Sequence, residues 1–144
     1  TSDYEKGQLP TAFQVIKNRS HELFNQSRYV TRTLDEVSEL NPHEFEAWVN
    51  EYYKADKPYP DGGVDGITKD GIPIQVKSFK IGYEVVDKLL ASSKYHPLVP
   101  KPIKKVILAS QTGFDDKARQ RVFEVKDKAR IEIRLEEPQT LLRL

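Results

Sequence analysis

The chain has 144 residues, 38% hydrophobic and 31% charged, with a formal net charge of +1. That length and balance suit one globular domain and exclude a disordered chain, and no apolar run nears the ~18 residues of a membrane span. Cysteine is absent, which excludes disulfides and thiolate zinc sites.

The lack of cysteine suits a reducing cytosol, and with no apolar span or signal-peptide pattern the expectation is a cytoplasmic protein without a membrane partner. Methionine is also absent, an initiator included, which leads us to expect a domain from a longer product.

Residues 1–37 read as an N-terminal extension, helical in part. Ala12, Phe13, Val15 and Ile16 form one apolar cluster there and Leu23 with Phe24 another, without a clean period. A single domain is expected over 38–144. It opens with a helix: Asn41 suits its cap, Pro42 its first position and Glu44 the capping-box position. Phe45, Trp48, Val49 and Tyr52 then recur at helical spacing and form a core-facing stripe, which Glu46 borders. The stretch Lys54 to Gly63, with Pro58, Pro60, Gly62 and Gly63, reads as a linker.

Two β-prone runs follow, Val64 to Thr68 and Ile72 to Ser78, around the turn residues Lys69, Asp70 and Gly71. Val85, Val86, Leu89 and Leu90 predict a helix over 82–92, and three prolines predict a loop over 95–102. Val106 to Ser110 is a buried strand. Asp115 and Asp116 open the next helix, whose buried face is Ala118, Val122, Val125 and Ala129. Ile131, Ile133 and Leu135 alternate with charged residues, as in a half-buried strand. Pro138 starts a last short turn. The expected class is α/β, a mixed central sheet flanked by helices.

The hairpin register decides which side chains share a face. A two-residue turn would pair Asp65 with Val76. A three-residue loop, a type I turn closed by Gly71 in the left-handed conformation, pairs Asp65 with Gln75. Only the longer loop puts Val64, Ile72, Ile74 and Val76 on one face and Asp65, Gln75 and Lys77 on the other.

That polar face suits metal-assisted phosphodiester hydrolysis. Asp65 can bind a hard cation, with the Gln75 amide oxygen and the Val76 carbonyl as further ligands. Glu46, leaning from the helix, adds the negative charge that the Gln75 amide lacks. Lys77 can hold the attacking water or the charge that develops at phosphorus. Oxygen ligands and a phosphate substrate point to one or two Mg2+ ions. From Ala91 to Phe114 there is no acid, and Lys94, Lys101, Lys104 and Lys105 are candidate phosphate contacts. Asp61 and Asp70 read as turn formers. His21, His43 and His96 have no metal or triad spacing. Gln111 and Thr112 fit a DNA approach and a strand-to-helix turn equally.

Asp65-Gly66 followed by Gln75-Val76-Lys77 resembles the PD-(D/E)xK nuclease motif, in the Gln-x-Lys form of Mrr-like restriction endonucleases. Leu40-Asn41-Pro42, Phe45-Glu46 and Trp48-Val49 resemble the helix before that motif, with Glu46 at its active-site glutamate. Ala109 to Ala118 and Ile131 to Leu135 resemble its later strand, helix and strand. DGGVDGI, IQVK, Gly82, Val86 and Asp87 are most similar to Mrr-like domains appended to DNA methyltransferases, although Tyr83 stands where a basic residue is expected.

The resemblance implies a restriction-endonuclease-like core and a Mg2+-dependent endonuclease of a restriction–modification protein, acting on double-stranded DNA. A homodimer would serve double-strand cutting. A methyltransferase region would lie elsewhere in the full-length protein, since no methyltransferase motif occurs here. The rivals are a Holliday-junction-type structure-selective nuclease and a non-cleaving DNA-binding domain on the same fold.

Overall fold

The computed structural model describes residues 32–59 and 61–144. These fall within a compact unit, Thr31–Leu144. The expected extension over 1–37, with its clusters at 12–16 and 23–24, lies outside the described residues up to 31. Its last residues, from 34 onward, begin the helix α1.

The short helix α1, Leu34–Ser38, is capped by Thr33 and Glu36 in a reciprocal box and buries Val37. The next helix, α2, runs Pro42–Tyr53 with the expected box of Asn41 and Glu44. Its stripe of Phe45, Trp48 and Val49 is buried, and Trp48, at 2% exposure, is a core residue. Lys54 ends α2 in the left-handed conformation.

Four strands follow: β1 Gly66–Ile67, β2 Pro73–Lys77, β3 Lys105–Ser110 and β4 Glu132–Glu136. They form one sheet in the order β1-β2-β3-β4. The β1–β2 pair is antiparallel, and β2–β3 and β3–β4 are parallel. Two helices make the parallel crossovers, α3 Tyr83–Tyr95 and α4 Asp116–Ala129. The last helix, α5, is the short Pro138–Leu141. The architecture is therefore α/β with a central mixed sheet and flanking helices.

Strand alternation sorts the core into two layers. Val106, Leu108 and Ile133 pack with Ile81, Val86 and Leu89 from the α3 region and Phe114 and Ala118 from the α4 region. Residues of the opposite parity, Ile74, Val76, Ile107 and Ala109, are buried on the other face. That face meets α2, whose Tyr53 hydroxyl donates to the buried Glu136.

The expected elements differ in their ends. Helix α3 continues to Tyr95, about one turn beyond the expected 92, because Leu89 and Ser93 stay buried along it. On α4 only Ala118 is fully buried; Val122 and Val125 are partly covered and Ala129 is exposed. Among the described residues no helix is long and apolar enough to cross a membrane.

Candidate functional site

The hairpin takes the three-residue loop. Gly71 sits at φ +84°, its N–H donates to the Thr68 carbonyl, and the Thr68 N–H donates to the Ile72 carbonyl at 3.0 Å. Gly66 pairs with Ile74 and Ile67 with Pro73, which sets Asp65 opposite Gln75 and not Val76. Val64, Ile74 and Val76 are buried, while Asp65, Gln75 and Lys77 are partly open.

Strand β1 is shorter than its apolar pattern. Gly62 and Gly63, both at positive φ, turn the chain away, and Asp61 anchors that turn by accepting the Gly63 N–H. Beyond Gly66 no strand carbonyl is left for the next N–H of β2, that of Val76. The Asp65 side chain fills the gap: its Oδ2 accepts the Val76 N–H at 2.8 Å and the Gln75 Nε2 at 2.8 Å. Thus the bond that orients Asp65 also completes the sheet edge.

Helix α2 is held against this corner by Asn50. Its Nδ2 donates to the Asp65 carbonyl at 3.1 Å. A Cβ added at Gly66 would lie 2.2 Å from Asn50 Oδ1, so only glycine allows the approach. That Oδ1 is buried without a hydrogen-bond partner among the described residues.

The same helix carries Glu46 to the site. Its carboxylate, 19% exposed, pairs with the Lys57 ammonium at 2.8 Å. Burial pushes the Asp65 carboxyl above the usual carboxylate range. The Val76 N–H opposes that shift, Glu46 adds to it, and Lys77 and Lys57 oppose it. The hydrogen bond and charge of Glu46, with smaller contributions from Asp65 and Asp61, raise Lys57. Glu46, Asp65, Gln75 and Lys77 thus share one electrostatic neighbourhood. Lys77 lies 5.7 Å from the ring centroid of Phe79, which is 55% exposed beside it.

Lys57, Asn50 and Gly66 were not among the sequence candidates. The faint signal for Lys57 is its place on the linker between the helix and the hairpin that carry the two acids. Asn50, one turn beyond Glu46 on the same helix, offered a similar hint.

The four candidate phosphate contacts do not gather here. Lys105 opens β3 three residues before Leu108, the partner of Gln75, which separates their levels in the sheet by about 10 Å. It forms a loose pair with Glu132 at 4.0 Å. Lys104 and Lys105 instead line a cleft of about 180 Å3 with Asp70 and Gly71 at the hairpin tip. Lys101 spends its ammonium on the carbonyls of His96 and Val99, at 2.9 and 2.6 Å. Lys94 is exposed near the end of α3, over the ring of Tyr95. Gln111 and Thr112 are joint-formers: Gln111 Nε2 donates to the carbonyls of Val37 and Leu40, and the Thr112 hydroxyl to that of Ser78.

The donor set fits a hard divalent cation. Two carboxylates, Asp65 and Glu46, repel each other across a partly buried site, and a cation would relieve that repulsion. Among the described residues no three His, Cys, Asp or Glu side chains gather as a metal site. Amide and carbonyl oxygens and water must therefore complete any coordination. It is the Gln75 Nε2, not its amide oxygen, that faces Asp65.

No family model, curated protein or solved structure matches the chain.

Proposed function

We propose that this domain is a Mg2+-dependent DNA endonuclease, the nuclease part of a restriction–modification protein, on a restriction-endonuclease-like core. The observation that carries the reading is the convergence of Asp65, Gln75 and Lys77 on one hairpin face, with Glu46 in their electrostatic range.

Asp65 and Glu46 would hold the ion, with the Gln75 amide oxygen and the Val76 carbonyl as neutral ligands. When bound, the ion supplies Lewis-acid polarisation of the phosphoryl oxygen and a lowered pKa for water. Asp65 is oriented for its part by the Val76 N–H, and Asn50 clamps its backbone. The Lys77 ammonium stabilises the extra negative charge as the water oxygen bonds to phosphorus and the ester P–O bond breaks. Phe79 beside it gives a nucleobase a surface at the same rim.

Magnesium-dependent nicking of supercoiled plasmid tests this reading. It should be present in the wild type and lost in both Asp65→Ala and Lys77→Ala while the fold persists. Cleavage of four-way junctions alone would favour the structure-selective rival. Inert wild type and variants, all folded, would leave a non-cleaving DNA-binding domain; the turn of the Gln75 NH2 toward Asp65 is the observation on that side.

A further inference from the structure

The ion pair between Lys57 and Glu46 has no role in the chemistry above, yet its geometry is well defined. Asp56 forms a bridge with Ile67 through paired bonds of 3.0 and 2.8 Å, which adds it to the open edge of β1. Lys57 is the next residue, and Pro58 after it is buried. The backbone of Lys57 is therefore pinned beside the hairpin, within side-chain reach of Glu46 on α2. Its ammonium reaches Glu46 Oε2 at 2.8 Å, with 51% of the Lys57 side chain exposed. It also lies near enough to Asp65 to favour that carboxylate.

From this arrangement we infer that Lys57 is a tethered counter-ion, standing in for the divalent cation between Glu46 and Asp65 and competing with it. This inference rests on the metal-dependent reading above. Without Lys57, the Asp65 and Glu46 carboxylates repel each other with the Lys77 ammonium left, among the described residues, to oppose that effect at Asp65. With it, the charges of Glu46, Asp65, Lys57 and Lys77 balance, and the corner is stable before any ion arrives. A divalent cation at the two carboxylates makes the Lys57 ammonium redundant and repels it. The long, half-exposed lysine stem lets it swing into solvent without disturbing the pinned backbone. Lys57 is thus a positioning residue that sets how tightly the site takes its ion. The opposite role is a permanent clamp, in which the lysine holds Glu46 in place for the ion.

Calorimetric titration of the full chain with MgCl2 and with CaCl2 separates the two roles, using wild type, Lys57→Gln, Lys57→Arg and Asp65→Asn. A counter-ion predicts divalent binding about 1.5- to fivefold tighter in Lys57→Gln, a range set by the worth of a partly exposed ion pair. Lys57→Arg should stay near wild type, and Asp65→Asn should lose binding. The ion-induced rise in melting temperature should grow in Lys57→Gln in step with its affinity. Equal or weaker binding in Lys57→Gln, with wild type still binding, overturns the inference and leaves the metal-dependent reading intact. No binding by any variant or by wild type overturns both.

Discussion

Gln75 donates through Nε2 to Asp65 Oδ2 at 2.8 Å, so the hairpin's own amide holds its carboxylate. A glutamate at this position would exchange that hydrogen bond for a third negative charge in a corner where the Lys57 and Lys77 ammonium groups offset only two. Gln75→Glu should therefore lower the melting temperature of the ion-free protein and tighten divalent binding by about tenfold. Thermal unfolding with and without MgCl2 checks both signs together. A variant that loses stability and gains no affinity would show that Gln75 serves Asp65 alone.

Asp65 and Glu136 are both raised above the usual carboxylate range, chiefly by burial. Where the folded state favours the protonated form, stability is full below the ordinary carboxylate pKa. It is then lost as pH rises through the raised value. The ion-free protein should thus be less stable at neutral pH than at mildly acidic pH, as far as these two groups decide. Asp65→Asn should flatten the profile, keep or raise the melting temperature at pH 8, and abolish Mg2+-dependent nicking. Divalent affinity should fall as pH drops through the raised Asp65 value, because protons and the ion compete for one carboxylate.

Gly66 and Asn50 hold α2 to the hairpin. Gly66→Ala places a methyl group 2.2 Å from Asn50 Oδ1, and the amide cannot yield without losing its bond to the Asp65 carbonyl. The expected cost is about 1–3 kcal/mol, with weaker divalent binding because Glu46 shifts away from Asp65. Removing the obstacle in Asn50→Ala/Gly66→Ala should restore part of the loss. Urea unfolding of the two single variants and the double variant measures that coupling.

Tyr53 and Glu136 join the end of α2 to the end of β4. Glu136, at 1% exposure, also accepts from Arg134 Nε at 3.0 Å and Thr140 Oγ1 at 2.8 Å. Tyr53→Phe leaves this carboxylate short of a donor and should cost about 1–3 kcal/mol. Tyr53→Phe should cost less in a Glu136→Gln background, since no buried charge is then left short of a donor. Denaturant midpoints read both effects.

Much of the architecture was legible in the chain itself because it rests on local rules. The Asn41–Glu44 box, the stripe of Phe45, Trp48 and Val49, the strands around Ile107 and Ile133 and the Asp115 cap each depend on residues a few positions apart. The register of Asp65 with Gln75 belongs to the same class. Loop length and period-two alternation leave one pairing that buries Val64, Ile74 and Val76 together.

What only the tertiary structure decided lies in encounters between elements distant along the chain. Whether Glu46 meets Lys57 depends on the angle at which α2 crosses the hairpin, and Gly66 and Asn50 set that approach through one missing methyl group. The lysines in the acid-free stretch from Ala91 to Phe114 were candidate phosphate contacts. The loop that carries Lys101 folds onto its own carbonyls, and β3 begins at the far end of the hairpin, so their charge is dispersed. Nothing in the local pattern singles out Glu136, yet its bond from Tyr53 goes with its place among the most buried side chains described. Alternation and capping are properties of neighbours in sequence, so a chain carries them on its face. Charge pairing and close approach depend on distances set by the whole packed core, and no short stretch of residues encodes them.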